Sequence, residues 1–319
     1  MTTYGFHASH EQVAPSRLLE DVRSAERAGF DMAMCSDHFA PWSERQGHSG
    51  FTWSWLGAAL ATTSLRLGCV NAPGQRYHPA IVAQATATLA EMFPGRFWVA
   101  LGSGQAMNEH ITGAPWPLKE QRLRRLEECV DVIRRLHAGE EVSHDGLVTV
   151  DRARLYDLPA DPVPLITAAI SPATAARGAR WADGLITINQ PHETLRAVIG
   201  AYRDAGGAGP LAIQVHLSWA PTADEAAAVA ADQWRSNVFA EPLSLDLPTP
   251  RHFDIAAADV TDATVAGAVR ISADPARHVA WLREYADLGF DEIYLHHVGQ
   301  DQRAWLETAA TDVLPALRG

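Results

Sequence analysis

The string Ser36-Asp37-His38-Phe39-Ala40-Pro41-Trp42 gathers a carboxylate, an imidazole and an indole in one short stretch. An imidazole titrates near neutrality, so His38 can pass a proton without a large pKa shift. Asp37 points the opposite way on an extended chain and is a candidate ligand contact. A plainer role competes for His38, that of capping a loop or filling space. Aromatic side chains crowd the same region, at Phe39, Trp42, Phe51, Trp53 and Trp55. Large flat rings suit a planar ligand or the cover of an apolar pocket. For Trp53 and Trp55, packing between elements is the simpler account. Trp42, which comes after Pro41 in a loop, is harder to place in a core.

Further polar positions lie downstream. Gly102-Ser103-Gly104-Gln105 offers backbone that can approach a ligand closely, although Gly-x-Gly also marks ordinary turns. Ser171-Pro172-Ala173-Thr174 opens a helix whose free amides suit a phosphate, and simple capping by Ser171 explains the same residues. Asn71 and Asn189 come after apolar runs in the same manner. His296 and His297 are neighbours, so on a strand they face opposite sides and cannot share an ion. No carboxylate cluster with metal-ligand spacing accompanies them, and no metal site is expected. No Gly-x-Ser-x-Gly elbow supports a serine nucleophile.

These positions share a setting, because each lies at or just past the end of a short β-rich run. The runs are Tyr4–His7, Asp31–Cys35, Leu65–Val70, Phe97–Leu101, Pro164–Ala168, Leu185–Ile188, Leu211–Trp219 and Glu292–His296. Helical patterns separate them, among them Pro15–Gly29, Phe51–Thr63, Ala80–Phe93, Lys119–His137, Ala173–Trp181, Glu193–Ala205, Ala223–Val238 and Pro275–Leu288, with Gln302–Leu317 last. Strands alternating with helices and no break in composition predict an α/β chain, a single (β/α)8 TIM barrel over residues 1–319. A barrel enzyme draws its site from the carboxyl ends of its strands, where these candidates stand. Insertions are expected near 140–160, with an Asp145-Gly146 turn that predicts a hairpin, and near 240–270. An open dinucleotide-binding sheet would want Gly-x-Gly-x-x-Gly after its first strand, where His7-Ala8-Ser9-His10 stands instead.

Apolar residues at 47% and charged residues at 20% match a globular chain with a large core. A net charge of −12 argues against nucleic acid or an anionic membrane as partner. Local amides and a few arginines can still hold a phosphate. The three cysteines form no close-spaced pair, which predicts a reducing compartment without a disulfide framework. No signal-peptide pattern and no bilayer-length apolar run are visible, so the cytoplasm is the expected location.

Four strings together resemble the luciferase-like flavin and deazaflavin oxidoreductases: Ser36–Trp42, Gln75–Pro79, Gly102–Glu109 and Asp183-Gly184. Within that superfamily the chain is similar to the F420-dependent glucose-6-phosphate dehydrogenases, as far as its ending Gly299–Arg303. The resemblance implies that His38 exchanges the substrate hydroxyl proton during hydride transfer and that Trp42 stabilises the reacting centre. It implies cofactor contacts at Asp37, Val70, Asn71, Ala72, Ser103, Gly104 and Asn108, with Ala72 in the loop beneath the isoalloxazine. A non-prolyl cis peptide would fall near Cys69–Asn71, and the backbone of Ile170 and Ser171 would cradle the cofactor phosphate. A homodimer is also implied.

Departures from the family pattern narrow the expectation. The catalytic glutamate after the fourth strand is replaced by Gln105, which exchanges no proton near neutrality, while Glu109 lies one helical turn further on. The sugar-phosphate clamp positions read Pro191, Arg251 and Ala268, with Arg270 nearby, so glucose 6-phosphate is not the expected substrate. Either FMN or F420 would suit such a barrel. The Pro73–Pro79 string resembles a subgroup assigned to FMN, which implies a slight lean toward FMN. The expected activity is hydride transfer between the bound ring and a small organic substrate. The alternatives are an FMN monooxygenase using reduced flavin and oxygen, and a catalytically degenerate cofactor-binding protein. A metal-dependent barrel hydrolase ranks below them.

Overall fold

In the computed structural model of the chain, which describes residues 2–319, eight parallel strands close into a barrel. They are β1 (Thr3–Ala8), β2 (Met32–Ser36), β3 (Arg66–Asn71), β4 (Phe97–Leu101), β5 (Leu165–Ala168), β6 (Gly184–Ile188), β7 (Leu211–Ser218) and β8 (Glu292–His297). Each pairs in parallel with the next. The ring closes where Thr3 meets Glu292 across β1 and β8. A two-residue strand, Arg270–Ile271, flanks the upper end of β7.

Alternation along each strand sorts side chains between two cores. Outward residues such as Phe6, Cys35, Leu67, Val99 and Leu185 meet the surrounding helices. Helix Pro15–Ala28 buries Leu18, Val22 and Ala25 at helical spacing and stops at Gly29, whose φ of 94° suits a left-handed cap. Inward residues fill the barrel with Met32, Met34, Trp98, Ile166, Ile186 and Tyr294. Two glycines make room for the largest of them. A Cβ on Gly68 would lie 1.9 Å from the Trp98 ring, and one on Gly5 would lie 2.4 Å from Tyr294. At the lower end Arg66 pairs with Glu292 at 2.5 Å, and the Tyr294 hydroxyl donates to Glu292 at 2.7 Å. The upper, carboxyl end is polar, with His7, Gln214, His216 and His296 facing inward.

The Asp145-Gly146 turn does join a hairpin, Val142–Asp145 with Thr149–Ala153. Elsewhere the structure departs from expectation in several places. The helix expected to run to Val238 stops at Trp234 and tightens into a 3-10 turn, Arg235–Asn237. The segment after it carries short helices Leu243–Asp246, Pro250–Ala256 and Asp262–Ala268. The last helix contains a π turn at Ala309–Val313, just before Pro315, which has no amide hydrogen to give. The cis peptide expected near Cys69–Asn71 is absent. There β3 keeps its ladder through Asn71, opposite Leu101, and Gly102 N donates to Asn71 O at 2.9 Å. Among the described residues the cis bond is Glu241–Pro242. No described helix is long and apolar enough to cross a membrane.

Candidate active site

The upper ends of the strands enclose a cavity of about 310 Å³. β2 delivers His38 to it. The imidazole is mostly buried, and its Nδ1 lies 3.2 Å from Glu11 Oε1, out of line for a full hydrogen bond. Its Nε2 has no partner in the protein and is not sealed, so it opens on the cavity. Glu11 Oε2 accepts from Ser9 Oγ at 2.8 Å. Burial pushes Glu11 up to about 7, against its backbone and Ser9 hydrogen bonds. Burial also drives His38 down to about 4, helped by the Arg76 cation. The imidazole is therefore neutral at pH 7, and its Nε2 faces the cavity. The Trp42 ring lies 5.3 Å from His38 and stands edge-on to Phe253.

Asp37 also lines the cavity. It accepts from Asn71 Nδ2 at 2.7 Å and from the Tyr77 hydroxyl at 3.4 Å, with the Arg76 guanidinium 3.5 Å away. Burial raises its pKa, with Arg76 the largest opposing influence. Arg76 sits between two buried carboxylates. Its backbone amide donates to Glu109 Oε2 at 2.6 Å, and its Nε lies 3.6 Å from Oε1. Glu109 thus lines the cavity beside Arg76, and burial raises its pKa against the Arg76 hydrogen bond and charge.

The glycine-rich loop after β4 forms one side. Gly104 has a φ of +84°, and a Cβ there would meet Glu109, Trp116 and Ala72 at 3.2 to 3.4 Å. Ser103 lines the cavity beside it. Gln105 opens the short helix Ala106–Glu109 and accepts from Asn108 Nδ2 at 3.2 Å. Asn108 Oδ1 in turn accepts from the Phe39 and Ala40 amides at 2.9 and 3.3 Å. Asn108 lines the cavity, where it was expected, and its amide also clamps the loop after β2. Val70, Ala72, Ala168, Ile170 and Ile188 form an apolar wall.

Ser171 is engaged locally through its side chain. It occupies the cap position before helix Pro172–Gly178 but makes no capping bond, because its hydroxyl pairs with Thr174 Oγ1 at 3.0 Å. Thr174, not Ser171, lines the cavity. Asn189 is absorbed by structure, donating to Ala268 O at 2.8 Å and accepting from His216 N at 2.9 Å. His296 faces the cavity, whereas His297 turns outward against Trp305. Trp53 packs on Phe97 and Trp55 on His10, the simpler of their two accounts.

Several lining residues went unread in the sequence, namely Ser9, Glu11, Gln214, His216, Trp234 and Asn237. The available signal was alternation at a strand's upper end. Gln214 and His216 interleave with Val215 and Leu217, which places both polar side chains inward.

The luciferase-like monooxygenase family matches residues 1–292. The chain belongs to the luciferase-like family of oxidoreductases. It is 36% identical to an F420-dependent glucose-6-phosphate dehydrogenase of Intrasporangium calvum, covering 100% of both chains. The enzyme of that name from Mycobacterium tuberculosis is 34% identical over 98% of this chain and 97% of its own. A solved F420-dependent secondary alcohol dehydrogenase, in complex with an F420-acetone adduct, superposes with a TM-score of 0.90 at 30% identity, covering 100% of this chain and 99% of that one. An F420-dependent tetrahydromethanopterin reductase of Methanopyrus kandleri shares the fold, at a TM-score of 0.78 and 20% identity, over 99% of both chains. These relatives lend no support to the lean toward FMN. The names of the two glucose-6-phosphate dehydrogenases also stand against the expectation that excluded that sugar phosphate.

Proposed function

We propose that this chain is an F420-dependent dehydrogenase acting on a small neutral alcohol or its carbonyl partner. The observation that carries the proposal is the His38 imidazole set beside Glu11, with its Nε2 open to the cavity. The cavity fits the cofactor on its own features. An apolar wall suits a flat ring, and the glycine-lined loop allows close approach. Asn71 Oδ1 is buried on that lining without a partner, as a ligand-facing acceptor would be. Asn71, Ala72, Ser103, Gly104 and the Ile170 backbone would hold the group. Bound F420 would supply a ring carbon that accepts a hydride.

The chain's own residues would handle the proton. As hydride leaves the carbinol carbon, His38 Nε2 takes the hydroxyl proton, and Glu11 balances the imidazolium that forms. Trp42 and Phe253 keep water from that side. Gln105 can position a ligand but exchanges no proton, so acid–base work falls to His38 and Glu11.

A neutral substrate is the consequence of the charges lining the site. Lys119 is the one lysine or arginine among the described lining residues, and it is paired with Glu241. None of Pro191, Arg251, Ala268 and Arg270 lines the cavity, and Arg270 donates to the Tyr285 hydroxyl at 3.0 Å. A phosphate placed there would lack a free cation. The test is F420 reduction by purified protein with 2-propanol and, separately, with glucose 6-phosphate. Turnover of the alcohol is expected. Turnover of the sugar phosphate alone would overturn the substrate class, and no F420 binding would overturn the whole proposal.

A further inference from the structure

Beneath His38, the cavity floor is built from histidines and glutamines whose protons can be assigned one after another. Gln12 Nε2 donates to the Val298 carbonyl oxygen. A carbonyl oxygen only accepts, so this atom of Gln12 is the nitrogen and the other is the oxygen. That oxygen lies 2.8 Å from His296 Nε2, which must therefore carry a proton. Burial holds His296 far below its ordinary pKa, so the ring is neutral and its Nδ1 is a bare acceptor. Gln214 Nε2 lies 2.9 Å from that Nδ1 and 3.1 Å from His216 Nε2. An amide group has two hydrogens, and here it gives one to each imidazole. His216 Nε2 is consequently unprotonated. Burial drives His216 down to about 3, so its single ring proton resides on Nδ1.

That nitrogen has no partner in the protein, yet it is not sealed, and His216 lines the cavity. The ring is also held in place. Trp234 packs on it at 4.5 Å, and the Asn189 side chain accepts from its backbone amide at 2.9 Å. We infer that His216 presents a fixed, uncharged N–H donor, at Nδ1, to an acceptor oxygen of the ligand filling the cavity floor. The acceptor is a carbonyl or hydroxyl oxygen, belonging either to the cofactor ring or to the substrate. Gln214 is the positioning residue, since its amide decides which nitrogen of His216 is bare. The ligand side of this inference rests on the proposed function, but the proton assignment does not.

The first measurement needs no ligand and no activity. Ring-15N-labelled protein at pH 7 is expected to show His216 with a protonated Nδ1 and a bare Nε2, the signal being assigned by its loss in His216→Asn. A proton on Nε2, or a charged ring, overturns the inference. The second measurement compares two variants that mimic different halves of the imidazole. His216→Asn keeps an amide near the Nδ1 position, whereas His216→Gln keeps one near Nε2 only. The glutamine variant is expected to weaken binding roughly tenfold or more, and the asparagine variant less than about threefold. A change in F420 affinity identifies the cofactor as the source of the oxygen, and a change confined to KM for the alcohol identifies the substrate. Folded variants that alter neither overturn the ligand contact. Wild-type protein that binds no F420 overturns the proposed function instead, while the labelling result still decides the proton assignment.

Discussion

His38 can accept a proton from a ligand only through the nitrogen that opens on the cavity, and Glu11 lies against the other one. The two groups have been moved toward each other's range, Glu11 up to about 7 and His38 down to about 4. In alcohol oxidation the ionised carboxylate stabilises the imidazolium. The rate constant kcat/KM should therefore rise as pH climbs through about 7, and it should drop further below about 4. Glu11→Gln should abolish the upper leg and lower the plateau about 10²-fold. A pH profile that keeps its leg near 7 in that variant would assign the leg to another group. His38→Ala should reduce kcat by about 10²- to 10⁴-fold while F420 affinity, tracked by fluorescence, stays within a few fold. Loss of F420 binding in that variant would make His38 a binding residue rather than the base.

At the scale of elements, close approach between β3 and β4 sets the barrel's inner packing. Gly68 sits directly across from Trp98, and any side chain there would enter the indole. Gly68→Ala should therefore destabilise the fold by about 1–3 kcal/mol or more, read from a urea midpoint. Adding Trp98→Leu should recover part of that loss, because the two changes share one space. Additive losses would show that the strain lies elsewhere. Nothing in the sequence around Gly68 announces this demand, since it depends on a neighbour thirty residues away. The strands themselves were legible because short apolar runs between turns have one economical arrangement in an alternating chain. Asp37, His38 and the Gly102–Gln105 loop were legible because a barrel gathers the residues just past its strand ends at one mouth. Side-chain commitments were not legible. Glu109 is held by Arg76, Asn108 by the loop after β2, and Ser171 by Thr174, and only the folded chain brings the first two pairings together. Glu11 escaped notice because it lies three residues beyond β1, in a stretch without a motif.

Across the whole molecule, the same burial that keeps the cavity histidines neutral makes the fold sensitive to acid. His10 and His216 are driven down to about 3, His38 and His297 to about 4, and burial also holds His7 and His296 well below their ordinary value. In the unfolded chain each would titrate near ~6.5. Between that value and the folded one, the unfolded chain binds protons that the fold refuses, so stability falls as pH falls. Each group contributes a slope of up to about 1.4 kcal/mol per pH unit. Glu11 acts in the opposite sense. Its raised pKa adds stability at low pH, and that contribution is lost as pH rises through about 7. Burial raises Asp21, Asp37 and Glu109 as well, but with His137 and His278 also lowered, eight imidazoles outnumber the four carboxyls, so the net effect of acid is destabilising. Urea midpoints should drop steeply from pH 7 to pH 5, with proton uptake on unfolding well above one per molecule. His10 offers the control, because it packs on Trp55 with both ring nitrogens sealed and unpartnered, and it lies outside the cavity lining. His10→Met should raise stability at pH 5 more than at pH 7 and lower the pH slope by about 1.4 kcal/mol per unit. Equal gains at both pH values would mean that His10 is already charged in the fold, with a partner that the packing around Trp55 does not provide.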